Sequence, residues 1–122
     1  MTHTLTWETD GLYRKFTGKI DTFEILNSNF KIHAHHLFRD IKYIINDFEE
    51  VTCISVETSH TQIFAKTDEI IANTKGDLKI ALFITQEAHL PVAESYREDM
   101  KGNRFKCEIF SSIEDARKWV NE

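Results

Sequence analysis

The densest group of chemically competent side chains in the sequence is His33-Ala34-His35-His36. Imidazoles bind transition metals and exchange protons near neutral pH. On a helix, neighbouring residues point about 100° apart, so the three rings do not converge. Only His33 and His36, three apart, share a face. Two imidazoles need a third ligand, and the chain carries no H-E-x-x-H and no nearby cysteine pair. The pattern predicts no metal site. A helix end whose imidazoles suit the helix dipole is the simpler reading.

Asn46-Asp47 stands at the end of an apolar run. In open α/β sheets, ligands favour the crevice at the carboxyl ends of the strands. Asp47, Glu57, Thr85 and Ser111 are the polar residues predicted at that edge. They form either a rim for a partner or small ligand, or side chains that tie loop amides. Asp47 with a histidine is the one acid–base arrangement on offer. No Ser/His/Asp or Cys/His motif backs it, and no glycine-rich loop precedes the helix that begins near Ser59 and Thr61. The chain is read as a non-enzyme without a cofactor.

The charge balance narrows the partners. Lys and Arg number 15 against 20 Asp and Glu, a net −5. A nucleic-acid binder displaces counterions with a basic stripe, and none is visible. No apolar run approaches the roughly 20 residues of a membrane span. The N-terminal stretch Met1 to Asp10 does not resemble a signal peptide, so the expected location is cytoplasmic. Cys53 and Cys107 each lie in a strand-like run and are read as buried thiols.

The elements that position these residues follow from periodicity. Thr4 to Glu8 and Leu12 to Gly18 alternate about Asp10-Gly11, which predicts an antiparallel hairpin. Asp21 and Glu24 have capping-box spacing. Phe23, Leu26, Phe30 and Leu37 then mark the inner stripe of a helix from about Thr22 to His36. Ile41 to Phe48 is apolar on both faces and suits an interior strand, with Cys53 to Val56 a continuation or a separate piece. Thr58, Ser59 and Thr61 offer caps for a second helix, whose stripe is Ile63, Phe64, Thr67, Ile70 and Ile71, ending at Gly76. Leu78 to Thr85 is another buried strand. Pro91 opens a third helix with Val92, Tyr96 and Met100 inward, and His89 just before it is read as solvated. Phe105, Cys107 and Ile109 alternate in a last strand. Ser111 and Glu114 cap a final helix with Ile113, Ala116 and Val120 inward. The order β-β-α-β-α-β-α-β-α predicts one α/β domain over residues 1–122: a five-stranded mixed sheet with four helices.

This order resembles the SpoIIAA-like and STAS domains, and in particular small stand-alone bacterial SpoIIAA-like proteins. The residues that carry the resemblance are Phe16-Thr17-Gly18-Lys19-Ile20, Ile44-Ile45-Asn46-Asp47-Phe48, Lys79-Ile80-Ala81, and the ending from Ile109-Phe110 through Glu114 and Ala116 to Trp119. The resemblance implies the fold over nearly the whole chain. In the antagonist proteins of the family, a serine after the central strand is phosphorylated and switches partner binding. The matching stretch here, Ser55-Val56-Glu57-Thr58-Ser59, lacks the family's glycine and Asp-Ser pair and leaves Thr58 and Ser59 as candidates by position. The family also resembles CRAL-TRIO lipid-binding domains in topology.

Two functional expectations result. The first is a non-catalytic interaction or regulatory module that binds another protein or forms a homodimer. The second is a carrier or sensor of a small apolar ligand such as a lipid, with a cavity lined by Phe16, Phe23, Phe64, Phe83 and Ile70.

Overall fold

The computed structural model describes residues 3–122. Five strands form one sheet in the spatial order of the chain: β1 (His3–Trp7), β2 (Gly11–Asp21), β3 (Tyr43–Ser55), β4 (Leu78–Phe83) and β5 (Phe105–Phe110). β1 runs antiparallel to β2, and β2 to β5 are parallel. The hairpin closes through Glu8 N–H donating to Gly11 O at 2.7 Å. The expected mixed sheet is therefore present. β3 is one continuous strand, so Cys53 to Ser55 continue it. They stay in register with β2 only after two shifts, between Lys15 and Thr17 and between Gly18 and Lys19. Gly18 takes φ 72° at the second shift, a conformation that favours glycine.

Four helices connect and cover the strands: α1 (Thr22–Ala34), α2 (Thr61–Lys75), α3 (Leu90–Asp99) and α4 (Ile113–Val120). Ile32 of α1, Ala65 and Ala72 of α2 and Ala93 of α3 pack with Leu12, Ile44, Ile80 and Leu82 on one face of the sheet. Ala116 and Val120 of α4 pack with Tyr43, Ile45 and Ala81 on the other. Alternation along β3 and β4 feeds both cores.

Helix ends follow local chemistry with some changes. Asp21 caps α1 through Glu24 N–H at 2.8 Å, at the spacing the sequence suggests. α1 ends at Ala34, two residues before His36, because His35 turns to an extended conformation (φ −74°, ψ 140°). α2 has no side-chain cap. A 3-10 turn, Thr58–His60, leads into it instead. The cap of α4 is Ser112 rather than Ser111, its Oγ accepting from Asp115 N–H at 3.3 Å. Cys107 is buried, but Cys53 is exposed, since it falls on the outward side of the β3 extension.

The largest departure concerns which faces of α1 and α2 turn inward. α1 buries Ser28, Asn29 and Ile32, and leaves Phe23 72% and Phe30 54% exposed. α2 buries Thr61, Phe64, Ala65, Asp68 and Ala72, and leaves Ile63 46% and Ile70 62% exposed. The expected α1 stripe thus lies largely on the outside, with Phe23 and Phe30 exposed, whereas the expected α2 stripe splits: Ile63 and Ile70 face outward, Phe64 is buried and Ile71 packs against the core. The reason lies on β2. Arg14 faces the helix side of the sheet and is buried there. A buried guanidinium requires acceptors, and α1 turns its polar face inward to supply them.

Candidate functional site

The polar groups beneath α1 form one connected layer. Arg14 Nε donates to Asn46 Oδ1 at 2.8 Å, and its Nη1 donates to Ser28 Oγ at 2.9 Å and Asn29 Oδ1 at 2.8 Å. Arg14 and Asn46 are direct neighbours in the β2–β3 register. The guanidinium carbon also lies 4.8 Å from the centre of the Phe16 ring. All three acceptors are neutral. Burial pushes the guanidinium pKa down to about 10, which leaves it charged at neutral pH.

A second polar group faces it from α2 and α3. The Tyr96 hydroxyl donates to Asp68 Oδ2. His33 Nε2 of α1 approaches Asp68 Oδ1 to 3.8 Å. Burial raises the Asp68 pKa to about 6, against the opposing effects of Tyr96 and Arg14. Burial, and then Arg14, pushes His33 down to about 4, so this ring is neutral at pH 7 and its approach to Asp68 is no ion pair. Tyr96 is held well above the usual phenol range by burial and by Asp68.

Between these groups lies a partly enclosed cavity of about 80 Å³, measured for the centres of water-sized spheres. Arg14, Asn29, His33, Asn46, Asp68, His89 and Tyr96 supply its polar wall. Phe16, Ile44, Phe64, Leu82 and Phe105 are among its apolar lining. His89 is buried and His33 is half-buried, and among the described residues the buried Nδ1 of neither ring has a hydrogen-bond partner. His89 is thus not the solvated residue expected before α3. It is the last residue of the turn Glu87–His89 and is 4% exposed.

The residues singled out from sequence divide between this cavity and the surface. Phe16 and Phe64 line the cavity. Phe23 and Ile70 do not, because their helix faces point outward. Phe83 is buried, but strand alternation places it on the α4 face of β4, opposite Leu82. Asp47 is likewise buried on the face opposite Asn46. It accepts from the Tyr13 hydroxyl and, at 2.8 Å, from Glu49 N–H, and no histidine is among its partners. Burial, the Asp47 hydrogen bond and its charge push the Tyr13 phenol up.

The histidine cluster separates in space. His33 points inward, its side chain 9% exposed. His35 stacks on Trp7 at 4.3 Å and His36 stacks on His35 at 4.6 Å. Among the described residues, no group of three or more His, Cys, Asp or Glu is arranged to hold a metal ion. No described helix is long and apolar enough to cross a membrane.

Arg14, Asp68 and Tyr96 were not singled out as site residues by sequence reasoning. The available signal was a charge at Arg14 within an otherwise alternating strand and another at Asp68 within a helical stripe. Each looks like an ordinary surface charge until the fold buries it.

Thr58 and Ser59 are exposed on the turn before α2. Thr22 Oγ1, the first residue of α1, lies 3.0 Å from His60 Nδ1. This contact sets the starts of α1 and α2 side by side.

No family model matches the chain, and no curated protein matches it. Solved structures do. The anti-sigma factor antagonist SpoIIAA in its unphosphorylated form is similar with a TM-score of 0.59 at 16% identity, over 98% of this chain and 97% of that one. The phosphorylated Bacillus cell fate determinant SpoIIAA gives 0.58 at 13% identity, over 96% of this chain and 98% of that one. An uncharacterized protein of the DUF3478 family from Shewanella loihica PV-4 gives 0.52 at 16% identity, over 97% and 91%. At such identities the likeness is one of architecture, and it agrees with the strand and helix order: this chain has the SpoIIAA-like fold.

Proposed function

We propose that this chain is a non-catalytic protein-interaction module that docks a partner protein on the outer faces of α1 and α2. The observation that carries the reading is the outward placement of Phe23, Phe30, Ile63 and Ile70. Exposed apolar side chains gathered on one side of a domain mark interaction surfaces. The fold is shared with a protein described as an anti-sigma factor antagonist, whose role is to act on another protein. Thr58 and Ser59 lie on the turn that leads into α2, so a phosphate there would add charge close to the start of the helix that carries Ile63 and Ile70. A cytoplasmic setting fits two free thiols.

The test is site-specific photo-crosslinking in cells from a probe at Phe30, with a probe at Lys118 on α4 as control. The expected result is one crosslinked protein from Phe30, none from Lys118, and loss of the product in Ile63→Ser. Equal products from both positions would overturn the reading. A crosslinked species at twice the chain's mass, with sedimentation showing a dimer, would replace the partner by a second copy.

A second reading, a carrier or sensor of a small ligand, is favoured by one observation. The space between the sheet and its helices is not packed solid.

A further inference from the structure

The cavity shares no residue with the outer surface of Phe23, Phe30, Ile63 and Ile70, so a role for it stands apart from partner docking. Three features of its wall are costly to maintain in a folded chain. A charged guanidinium is buried with only neutral acceptors. Two buried imidazole nitrogens have no partner among the described residues. Cavity space lies beside aromatic and aliphatic side chains that close packing would otherwise fill. A buried polar atom without a partner carries its full desolvation penalty, and such groups in a folded protein call for a specific cause.

The geometry of Arg14 supplies one. Its Nε and Nη1 are committed to Asn46, Ser28 and Asn29, which lock the guanidinium plane. Among the described residues, no hydrogen bond runs from Nη2. The residue is buried and lines the cavity, so the space open to its free donors is the cavity itself. The guanidinium is held in advance with the two N–H groups of Nη2 free, and these diverge, so an anion such as a carboxylate is met by single charge-assisted hydrogen bonds rather than by a two-pronged fork. The apolar part of the wall includes Phe16, Ile44, Phe64 and Leu82.

We propose that this cavity binds a small carboxylic acid with a short apolar chain, its carboxylate on Arg14 and its chain among Phe16, Ile44, Phe64 and Leu82. Size limits the class. The space holds several water-sized spheres and is far below the several hundred Å³ of a drug-sized pocket. A two-chain membrane lipid does not fit. Asp68, across the cavity, is engaged by Tyr96 and opposes a bound anion when ionised.

The experiment is a titration of the full-length chain, followed by methyl and amide NMR, with octanoate and separately with 1-octanol. Octanoate is expected to saturate at one site and to shift the signals of Ile44, Ile80, Leu82 and Ala93. 1-Octanol, which lacks the charge, is expected to bind roughly tenfold or more weakly. Arg14→Met should abolish the difference between the two probes. Should that variant fail to fold, Ala93→Leu decides: it projects a larger side chain into the cavity and should remove both probes from a chain with native signal dispersion. The proposal is overturned by equal affinity for the two probes. It is also overturned by undiminished binding in Ala93→Leu, by shifts confined to Phe23, Phe30, Ile63 and Ile70, or by no saturable shift at about millimolar octanoate.

Discussion

Arg14 and Asn46 lie side by side on adjacent parallel strands, the guanidinium Nε donating to the amide oxygen at 2.8 Å inside the protein. This pair sets the helix side of the sheet as partly polar, and α1 answers with Ser28 and Asn29. Arg14→Ala leaves three buried acceptors without their donor. The expected cost is roughly 2–4 kcal/mol in urea unfolding, since bonds to a charged donor are the stronger kind and their remains are desolvated. Ser28→Ala removes one acceptor and should cost only about 1 kcal/mol. A loss below about 1 kcal/mol for Arg14→Ala would show that the charge is not an organising element.

Asp68 and His33 pull the pH dependence of stability in opposite directions. The folded state lifts Asp68 from 3.8 to about 6 and so holds an extra proton between those values. Stability then falls as pH rises from about 4 to 6. His33 is lowered from 6.5 to about 4, so the unfolded chain holds the extra proton and stability rises over about pH 4 to 6.5. His89, also lowered by burial, adds to the rise. The groups facing Asp68 are His33 on α1, Arg14 on β2, Tyr96 on α3 and Cys107 on β5. Chemical denaturation across pH 4 to 7 should show a shallow profile for the native chain. Asp68→Asn should turn its slope more positive and His33→Gln more negative. An unchanged slope in both variants would refute the opposed pair.

Gly11 begins β2 directly beneath Tyr43, and a Cβ there would overlap the tyrosine ring. The ring cannot move freely, because the Tyr43 hydroxyl donates to Glu8 at 2.5 Å and Arg117 grips the same carboxylate at 2.6 and 2.8 Å. Gly11→Ala should lower stability by about 1–3 kcal/mol. Combining it with Tyr43→Ala tests the cause: the two losses should be less than additive in thermal unfolding. Strict additivity would place the cost elsewhere.

The inner and outer faces of α1 and α2 give a contrast in one experiment. Phe23→Ser and Ile70→Ser, on exposed positions, should change stability by less than about 0.5 kcal/mol. Ile32→Ala and Phe64→Ala, on the buried faces of the same helices, should each cost about 2–5 kcal/mol. Comparable losses at Phe23 and Phe64 would mean that the outer stripe is packed in solution, as a stable self-association would cause.

The element order of this protein was legible in the sequence. Alternation marked β1 and β5, two-sided apolar runs marked β3 and β4, and Asp21, Pro91 and Gly76 punctuated the helices. These signals are local: each depends on a few neighbouring residues and on backbone preferences that act over one turn or one pleat. Phe16 and Phe64 were also recognisable as inward residues.

Which face of each helix turns inward was decided only by tertiary structure. In α1 the most apolar stripe, with Phe23 and Phe30, lost to the stripe with Ser28, Asn29 and Ile32. No window of α1 contains the reason, which is a charge on β2 that the parallel pairing buries. The cavity has the same origin. Arg14, Asp68, Tyr96, His33 and His89 come from five separate elements, and only the packing of three helices on one face of the sheet brings them together. Periodicity reports how a segment is amphipathic, whereas the pairing of polar groups across a core depends on partners far apart in the chain.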